Sequence, residues 1–200
     1  MTVLLVTAPA PIVSLADAKR QCRIDDGDTG EDAFVTALVA TATATLDGPG
    51  GWLGRALGPQ RLELVTGALG WSCGLELPYR PVTAIVSVSQ DGVALASGLY
   101  RLDGGGMLRA VTGQAIPAAS SEPDAVRIRY DAGWPITPAV PASGGNPAIP
   151  ATWTGPAPIR HAILMMVARL YAQRGEDVLA SLVEDRAINA MLSPYRLFQL

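Results

Sequence analysis

Charged residues are scarce in this sequence: Asp, Glu, Lys and Arg make up 16% of its 200 residues, and the net charge is −3. A protein that binds nucleic acid by neutralising phosphates normally carries a basic stripe, so this composition argues against such binding. Hydrophobic residues make up 49%, and the mean hydropathy is +0.27. The apolar excess predicts that part of the surface faces other protein chains, and therefore predicts an oligomer.

Long hydrophobic runs are also missing. The most apolar segment, 159–170, is interrupted by Arg160, His161 and Arg169, which predicts that no helix spans a membrane. Residues 1–10 are apolar but lack the basic start of a secretory signal, so we expect them to belong to the mature protein. The sequence predicts a soluble protein without membrane contact.

Reactive side chains are few. Cys22 and Cys73 lie in unrelated contexts without a CxxC motif, which predicts two reduced thiols in a cytoplasmic protein. Ser72 stands in a G-x-S-x-G match, but residues 75–77 predict a strand where a nucleophile elbow needs a helix. His161, the single histidine, lies in a predicted helix and is expected to be packed or interfacial. The sequence predicts no catalytic residue.

Five acidic residues lie close together between the first two predicted helices: Asp25, Asp26, Asp28, Glu31 and Asp32. Their register does not fit an EF-hand loop, which needs a Gly at its sixth position and a Glu at its twelfth. We therefore predict a solvated acidic cap at a helix N-terminus, and neither a metal site nor a cofactor site. The run 104–106 is all glycine but lacks the Lys-Ser/Thr of a P-loop, which predicts a turn.

Apolar residues at 3.6-residue spacing predict four helices. They cover 15–22, 31–46, a third segment that begins at Pro158, and about 178–192. Ser14 followed by Asp17 resembles a capping box at the first helix. Core positions are predicted for the second helix at Phe34, Val35, Leu38, Val39, Ala42 and Leu46, and for the third at Ile159, Ile163, Met166, Val167, Leu170 and Tyr171.

Short runs separated by turns predict strands between residues 60 and 130. The predicted strands are 61–66, 75–77, 82–89, 98–102, 107–110 and 125–130, with a hairpin turn at Asp91-Gly92. Alternation predicts one buried face with Val82, Ala84, Val86 and Val88 in one strand, and Arg127 and Arg129 opposite Val126 and Ile128 in another. Seven prolines between 134 and 158 predict an extended loop without helix or strand pairing.

These patterns predict an α+β fold, with a core of three to four helices and an inserted antiparallel β region. The N-terminal helices of the core are expected in 1–56, the β region in 57–133, and a Pro/Gly-rich loop in 134–157. The C-terminal helices of the core are expected in 158–193, followed by a C-terminal docking tail in 194–200.

The order of several short segments resembles the head-tail connector (adaptor) family of long-tailed bacteriophages and gene transfer agents. The matching segments are Ser14–Lys19 before an acidic turn, Gly54–Leu57, Leu77–Val82, Val126–Trp134, Pro158–Arg174 and Leu192–Arg196. The resemblance covers most of the chain, although the Pro/Gly-rich loop is longer than expected for the family.

The resemblance implies a non-enzymatic virion protein that forms a ring, typically of twelve copies, beneath the portal. Its partners would be the portal protein, a tail-side stopper or tail terminator protein, and further copies of itself, with DNA only as passing cargo. It would be assembled in the bacterial cytoplasm and lie in the neck of the particle.

Two surfaces are predicted to carry these contacts. The apolar and aromatic tail, with Tyr195, Arg196, Leu197 and Phe198, is expected to dock on the portal, because aromatic and arginine side chains are frequent anchors. In the third helix Leu164 and Met165 widen the apolar stripe, which suggests burial on more than one side, and a subunit interface is predicted at Leu164, Met165 and Tyr171.

A different class of function remains open from the residues alone. Four tryptophans, Trp52, Trp71, Trp134 and Trp153, stand in Gly/Pro-rich contexts and could serve as platforms of a cytoplasmic ligand- or carbohydrate-binding domain. The alternative explanation is that they pack loops against the core.

Overall fold

The segments with the alternating pattern of strands and those with the 3.6-residue spacing of helices lie in separate parts of the chain. A computed structural model describes residues 1–67, 71, 74–141, 150–173 and 186–198. Two compact units emerge, one formed by 1–10 with 55–134 and the other by 11–54 with 135–200. The described helices and antiparallel strands confirm the predicted α+β class.

The first unit contains two antiparallel sheets. A five-stranded sheet has the order β1-β2-β8-β4-β5, with β1 Thr2–Thr7, β2 Gln60–Thr66, β4 Val82–Gln90, β5 Val93–Ala94 and β8 Val126–Ala132. A three-stranded sheet has the order β3-β7-β6, with β3 Leu75–Glu76, β6 Tyr100–Leu102 and β7 Met107–Ala110. The sequence pattern did not predict β1, because its apolar residues do not alternate with polar ones.

The central strand β8 follows the predicted alternation. Val126, Ile128 and Tyr130 are buried, whereas Arg127 and Arg129 point to the exposed face. The Tyr130 hydroxyl donates a hydrogen bond to the Pro78 carbonyl at 3.0 Å, which satisfies its polar end inside the core. Burial, with the nearby Tyr79, raises the pKa of Tyr130, so this side chain is neutral and acts as part of the core.

The alternation predicted for β4 is wrong in its middle. Ala84 and Val86 are exposed, and Ile85 lies opposite the buried Tyr130. The reason is that the pairing of β4 with β8 shifts register twice, between Val82 and Ala84 and between Ile85 and Ser87. Each irregularity inserts a residue into one strand, so the side chains beyond it change face.

The second unit contains the described helices: α1 Leu15–Gln21, α2 Asp32–Leu46, α3 Ala157–Ala172 and α4 Arg186–Leu192. Residues 178–185 of the predicted last helix lie outside the described residues. Helix α2 buries Val35, Val39, Ala42 and Leu46. Phe34, predicted for the core, is instead exposed and lies 6.3 Å from the Tyr171 ring, centroid to centroid. No described helix is long and apolar enough to cross a bilayer.

The prediction that 134–157 contains no strand pairing is also wrong. Strand β9, Ile136–Thr137, pairs with β10, Thr152–Trp153, and residues 142–149 lie outside the description. The Trp153 ring is buried and lies against Gly155, where a Cβ atom would come within 2.1 Å of the indole. Prolines flank these two-residue strands without occupying them, which is why the ladder forms.

Asp17 connects the first turn of α1 to α3. Ser14 caps α1 by accepting a hydrogen bond from the Asp17 N–H at 3.1 Å, as the sequence predicts. The Asp17 carboxylate accepts hydrogen bonds from the Ser14 hydroxyl and from Arg160, each at 2.5 Å. The Ser14 hydrogen bond, together with the charges of Arg160 and Arg20, holds the pKa of Asp17 below its ordinary value.

Replacing Asp17 by Asn should therefore cost about 1 kcal/mol of stability at pH 7, the usual worth of one partly exposed charged contact. Because the folded pKa is lowered, this contribution is present above the unfolded pKa of about 4 and disappears as pH falls through the folded value. Urea unfolding from pH 2 to pH 7 checks this. The curves of wild type and Asp17→Asn should converge at the acid end, and a constant difference would contradict the assignment.

Candidate docking surface

The tail is held against the turn that follows α2. After α4, residues Ser193–Tyr195 form a 3₁₀ turn, and the chain then runs past Leu53 and Gly54. The Leu197 N–H donates to the Leu53 carbonyl at 2.8 Å. Gly54 has φ +62°, and a Cβ atom there would lie 2.4 Å from the Leu197 carbonyl oxygen. Only glycine permits this approach without displacing the tail.

A cation–aromatic stack fixes the tail's side chains. The Arg196 guanidinium carbon lies 4.3 Å from the Trp52 ring centroid and 4.8 Å from that of Phe198. Contacts of this kind contribute about 0.5–1 kcal/mol at exposed sites. The sequence predicts the tail residues. It does not predict that residues 52–54 bind them, because the two segments are far apart in the sequence and neither contains a pattern that identifies the other.

The four predicted docking residues have different surroundings. Tyr195, Arg196 and Leu197 are half-buried against their own chain, whereas Phe198 is 78% exposed. An aromatic ring on a fixed backbone loses little conformational freedom when a partner covers it. Among these four residues, Phe198 is therefore the side chain that offers most new apolar surface to another molecule.

The residues predicted for a subunit interface lie on α3. Leu164 is buried within its own unit, and Met165 is half-buried. The Tyr171 hydroxyl donates a hydrogen bond to the Glu31 carboxylate, and its ring contacts Phe34. Phe34 and Tyr171 thus form an aromatic pair on the unit surface that connects α2 with α3.

The structure describes two of the residues considered for catalysis, Cys22 and His161. Ser72 and Cys73 lie outside the described residues, and His161 is exposed on α3. Cys22 is a free, half-buried thiol, and burial raises its pKa, which disfavours the reactive thiolate. Within the described part of the chain, no cluster of His, Cys, Asp or Glu could hold a metal ion.

The acidic segment before α2 encloses a lysine. Lys19, the single lysine of the sequence, is 3% exposed, and its ammonium group donates to the carbonyls of Asp26 at 3.1 Å and Asp28 at 2.5 Å. Its ion pair with the Asp32 carboxylate is 2.9 Å long. The acidic residues Asp25, Asp26 and Asp28 are exposed, as the sequence predicts for a solvated segment, and the backbone of the same loop binds an internal cation.

Arginines on the exposed face of the five-stranded sheet pair with carboxylates. Arg61 binds Asp131 through two hydrogen bonds of 2.7 and 3.0 Å. Arg127 and Arg129 both bind Glu63, whose side chain is almost entirely covered. Positive and negative charges therefore alternate across this face and offset each other.

The tryptophans contact their own units. The Trp52 ring stacks against the Arg196 guanidinium, and the Arg55 guanidinium lies 5.8 Å from the Trp134 ring centroid. Trp71 packs against the sheet core. When the oxygen and nitrogen of the Gln90 side-chain amide exchange places, the Trp71 indole N–H donates a hydrogen bond to the amide oxygen at 3.2 Å. Trp153 is buried. This arrangement favours the interpretation in which the tryptophans hold loops against the core.

Comparison with known proteins gives one kind of match. No protein-family model matches the sequence, and no curated protein is similar to it. Among solved structures, a chain from the neck of an empty gene transfer agent particle, computed with C6 symmetry, has a TM-score of 0.70 and 19% identity. That match covers 100% of this chain and 97% of the other.

Two further structures agree with it over the same shares of both chains. One is the virion of a native gene transfer agent particle, with a TM-score of 0.68 and 20% identity. The other is the neck of a native particle computed with C12 symmetry, with a TM-score of 0.64 and 17% identity. Over its whole length, this chain has the fold of chains found in gene transfer agent particles and their necks.

Proposed function

We propose that this chain is a structural head-tail adaptor of a phage-like particle, which forms a ring beneath the portal and links it to the tail. The observation that carries this proposal is the fold likeness, which spans the whole chain and nearly all of each neck chain. A match over the full length includes both units, so it is not a likeness of one common motif. The proposed role requires no catalytic group.

Ring formation agrees with the symmetry of the similar assemblies and with the composition. The similar necks were computed with C6 and C12 symmetry, which suits a ring of twelve copies. A closed ring makes many equal contacts at once, so each copy needs only modest affinity for its partners. The apolar excess of the sequence supplies surface for such contacts.

DNA would pass through the lumen without being held. The net charge is −3, and the sheet-face arginines Arg61, Arg127 and Arg129 are each paired with a carboxylate. A polyanion gains little from such a surface, because binding requires free cations that replace its counterions. The neck of the particle is the proposed location, with assembly in the bacterial cytoplasm.

The tail is the proposed portal contact, with Phe198 as its anchor and Tyr195, Arg196 and Leu197 as its support. The stack on Trp52 fixes Arg196, and Arg196 in turn positions the Phe198 ring. A contact that is ordered before binding costs less entropy when it forms. The contact with a stopper or terminator protein on the particle's tail side is proposed for the β region and the Pro/Gly-rich loop.

The proposed copy-to-copy contact on α3 is centred on Met165 and the Phe34–Tyr171 pair. Leu164 is buried in its own unit, so its proposed role is to support this surface from inside the unit. Aromatic and methionine side chains are enriched at such interfaces.

Negative-stain imaging of the purified full chain, alone and with the portal protein of the same particle, tests the adaptor role. Rings, or collars on portals, are expected. A chain that stays monomeric with portal and binds a sugar in a glycan screen would contradict the proposal and favour the ligand-binding alternative.

The anchor is tested by Phe198→Ala. Portal binding should weaken about 30-fold per site, because a buried aromatic anchor contributes about 2 kcal/mol. The free energy of unfolding should fall by no more than about 1 kcal/mol, since the ring is exposed in the free chain and its contact with Arg196 is an exposed cation–aromatic contact. Val86→Ala, an equally simple truncation of an exposed side chain on β4, is the matched control. Equal portal affinity of the two variants in surface plasmon resonance would exclude Phe198 as the anchor.

A further inference from the structure

The guanidinium group of Arg196 is held by aromatic rings and not by a carboxylate. Arg61, Arg80 and Arg109 show the more usual arrangement, since each forms an ion pair with an acidic side chain. Within the described part of the chain, the contacts of the Arg196 guanidinium are with the rings of Trp52 and Phe198, and no acceptor atom binds its N–H groups. The group is therefore fixed in position with its hydrogen-bonding capacity unused.

This arrangement prepares Arg196 to bind an anion. The charge of a guanidinium group is attracted to the face of a ring, whereas its hydrogen bonds form in its own plane, at its edge. The two ring contacts, at 4.3 and 4.8 Å from the guanidinium carbon, thus fix the side chain without consuming its N–H donors. An arginine that is ordered before binding loses less conformational entropy when a partner's acceptor reaches it.

The surroundings of Arg196 favour a carboxylate of a protein as this anion. The planar guanidinium matches the two oxygens of a carboxylate or of a phosphate equally well. Phe198, however, lies next to the guanidinium and is 78% exposed, and a nucleic-acid backbone has no apolar surface to cover this ring. A net charge of −3 also disfavours binding of a polyanion through one cation. A protein surface offers an apolar pocket and a carboxylate together.

We propose that Arg196 binds an Asp or Glu side chain of the portal, at the rim of the apolar pocket that receives the Phe198 ring. This inference rests on the proposed function, which assigns the tail to the portal, and it adds the chemistry of the surface that the tail recognises. Arg196 then has two roles, because it supports Phe198 within its own chain and donates hydrogen bonds to the partner. Hydrogen bonds to a charged group are about twice as strong as those between neutral groups.

Arg196→Gln tests the charge of this contact. Glutamine keeps a planar polar group that fits on the Trp52 ring, but it carries no charge. Surface plasmon resonance of the full chain on portal should show about tenfold weaker binding than wild type at low salt, the usual effect of losing one hydrogen bond to a charged group. The difference should shrink at about 1 M NaCl, because salt screens the pair. An equal loss at both salt concentrations would overturn the carboxylate contact and leave Arg196 only as the support of Phe198.

Arg196→Lys makes the partner's carboxylate directly detectable, because Lys19 is the single lysine of the chain and is 3% exposed. A water-soluble carbodiimide activates a carboxylate, the amine in contact with it forms an amide, and the carbodiimide leaves as a urea with the displaced oxygen. Mass spectrometry of the variant bound to portal should find position 196 joined to a portal Asp or Glu. Arg101→Lys is the matched control, since Arg101 is exposed on β6 and lies outside the tail, and it should give no joined portal peptide.

The outcomes separate this inference from the proposed function. Retained portal binding without a joined peptide at position 196 would overturn the carboxylate contact and leave the adaptor role intact. A wild-type chain that does not bind portal would overturn both. Fluorescence anisotropy with a short DNA duplex tests the other anion: binding by wild type that Arg196→Gln abolishes would assign the guanidinium to phosphate and overturn the carboxylate.

Discussion

Replacing Lys19 by Met should lower the free energy of unfolding by about 3 kcal/mol, the lower end of the cost of breaking a buried ion pair. Methionine keeps most of the length of the side chain, but it leaves the Asp32 carboxylate and the carbonyls of Asp26 and Asp28 without the ammonium group that they now bind. The lower end applies because the Asp32 side chain is one-third exposed and can regain water.

Arg20→Met is the matched control, since Arg20 is the next residue of α1 and its side chain is 67% exposed. Loss of this surface pair with Asp17 should cost less than about 0.5 kcal/mol. Urea unfolding followed by circular dichroism compares the two variants. Equal destabilisation would show that the acidic loop does not depend on its internal cation.

Chemical labelling of amines gives a second measurement on the Lys19 ammonium group. Because Lys19 is the single lysine and is covered, brief labelling of the native protein should modify the chain's amino terminus and spare Lys19. Labelling in urea should modify both. Rapid native labelling of Lys19 would contradict the buried position.

Local patterns explain how much of the fold the sequence predicts. Helices α1 and α2 have the predicted positions, because the signals that predict them depend on residues close in sequence. These signals are the Ser14 cap for α1 and the apolar spacing for α2. The strand β8 follows alternation for the same reason. In β4, by contrast, the register shifts against β8 reverse the exposed and buried positions, and a one-strand pattern contains no information about its partner's register.

The candidate site depends on distant contacts, and these were only partly predictable. Composition predicts the aromatic tail after Pro194, but it does not predict that Trp52 and Gly54 bind this tail. Lys19 resembles an exposed helix residue in the sequence, yet backbone carbonyls of the following loop bind its ammonium group. Backbone acceptors leave no signature in residue types, which is why such a site requires the structure.

Gly133→Ala should be the most destabilising single-methyl change considered for this chain, at about 4 kcal/mol. Gly133 follows β8 with φ +104°, where an L side chain is itself strained by about 1–2 kcal/mol. A Cβ atom would lie 2.0 Å from the Gly58 carbonyl oxygen and 3.0 Å from the Pro59 nitrogen. Overpacking against backbone adds about 1–3 kcal/mol, because backbone cannot rotate away as a flexible side chain can.

The neighbouring hydrogen bonds make it costly for the backbone to move away from a Cβ atom added at Gly133. The Gly133 N–H donates to the Pro81 carbonyl at 2.9 Å, and the Trp134 N–H donates to the Leu57 carbonyl at 3.0 Å, so moving either segment breaks a backbone bond. Gly92→Ala separates the two contributions, because Gly92 has φ +78° but nothing within 4 Å of an added Cβ. That control should lose only about 1 kcal/mol in urea unfolding. Equal losses in the two variants would mean that backbone strain alone, without the close approach to Gly58, sets the cost at Gly133.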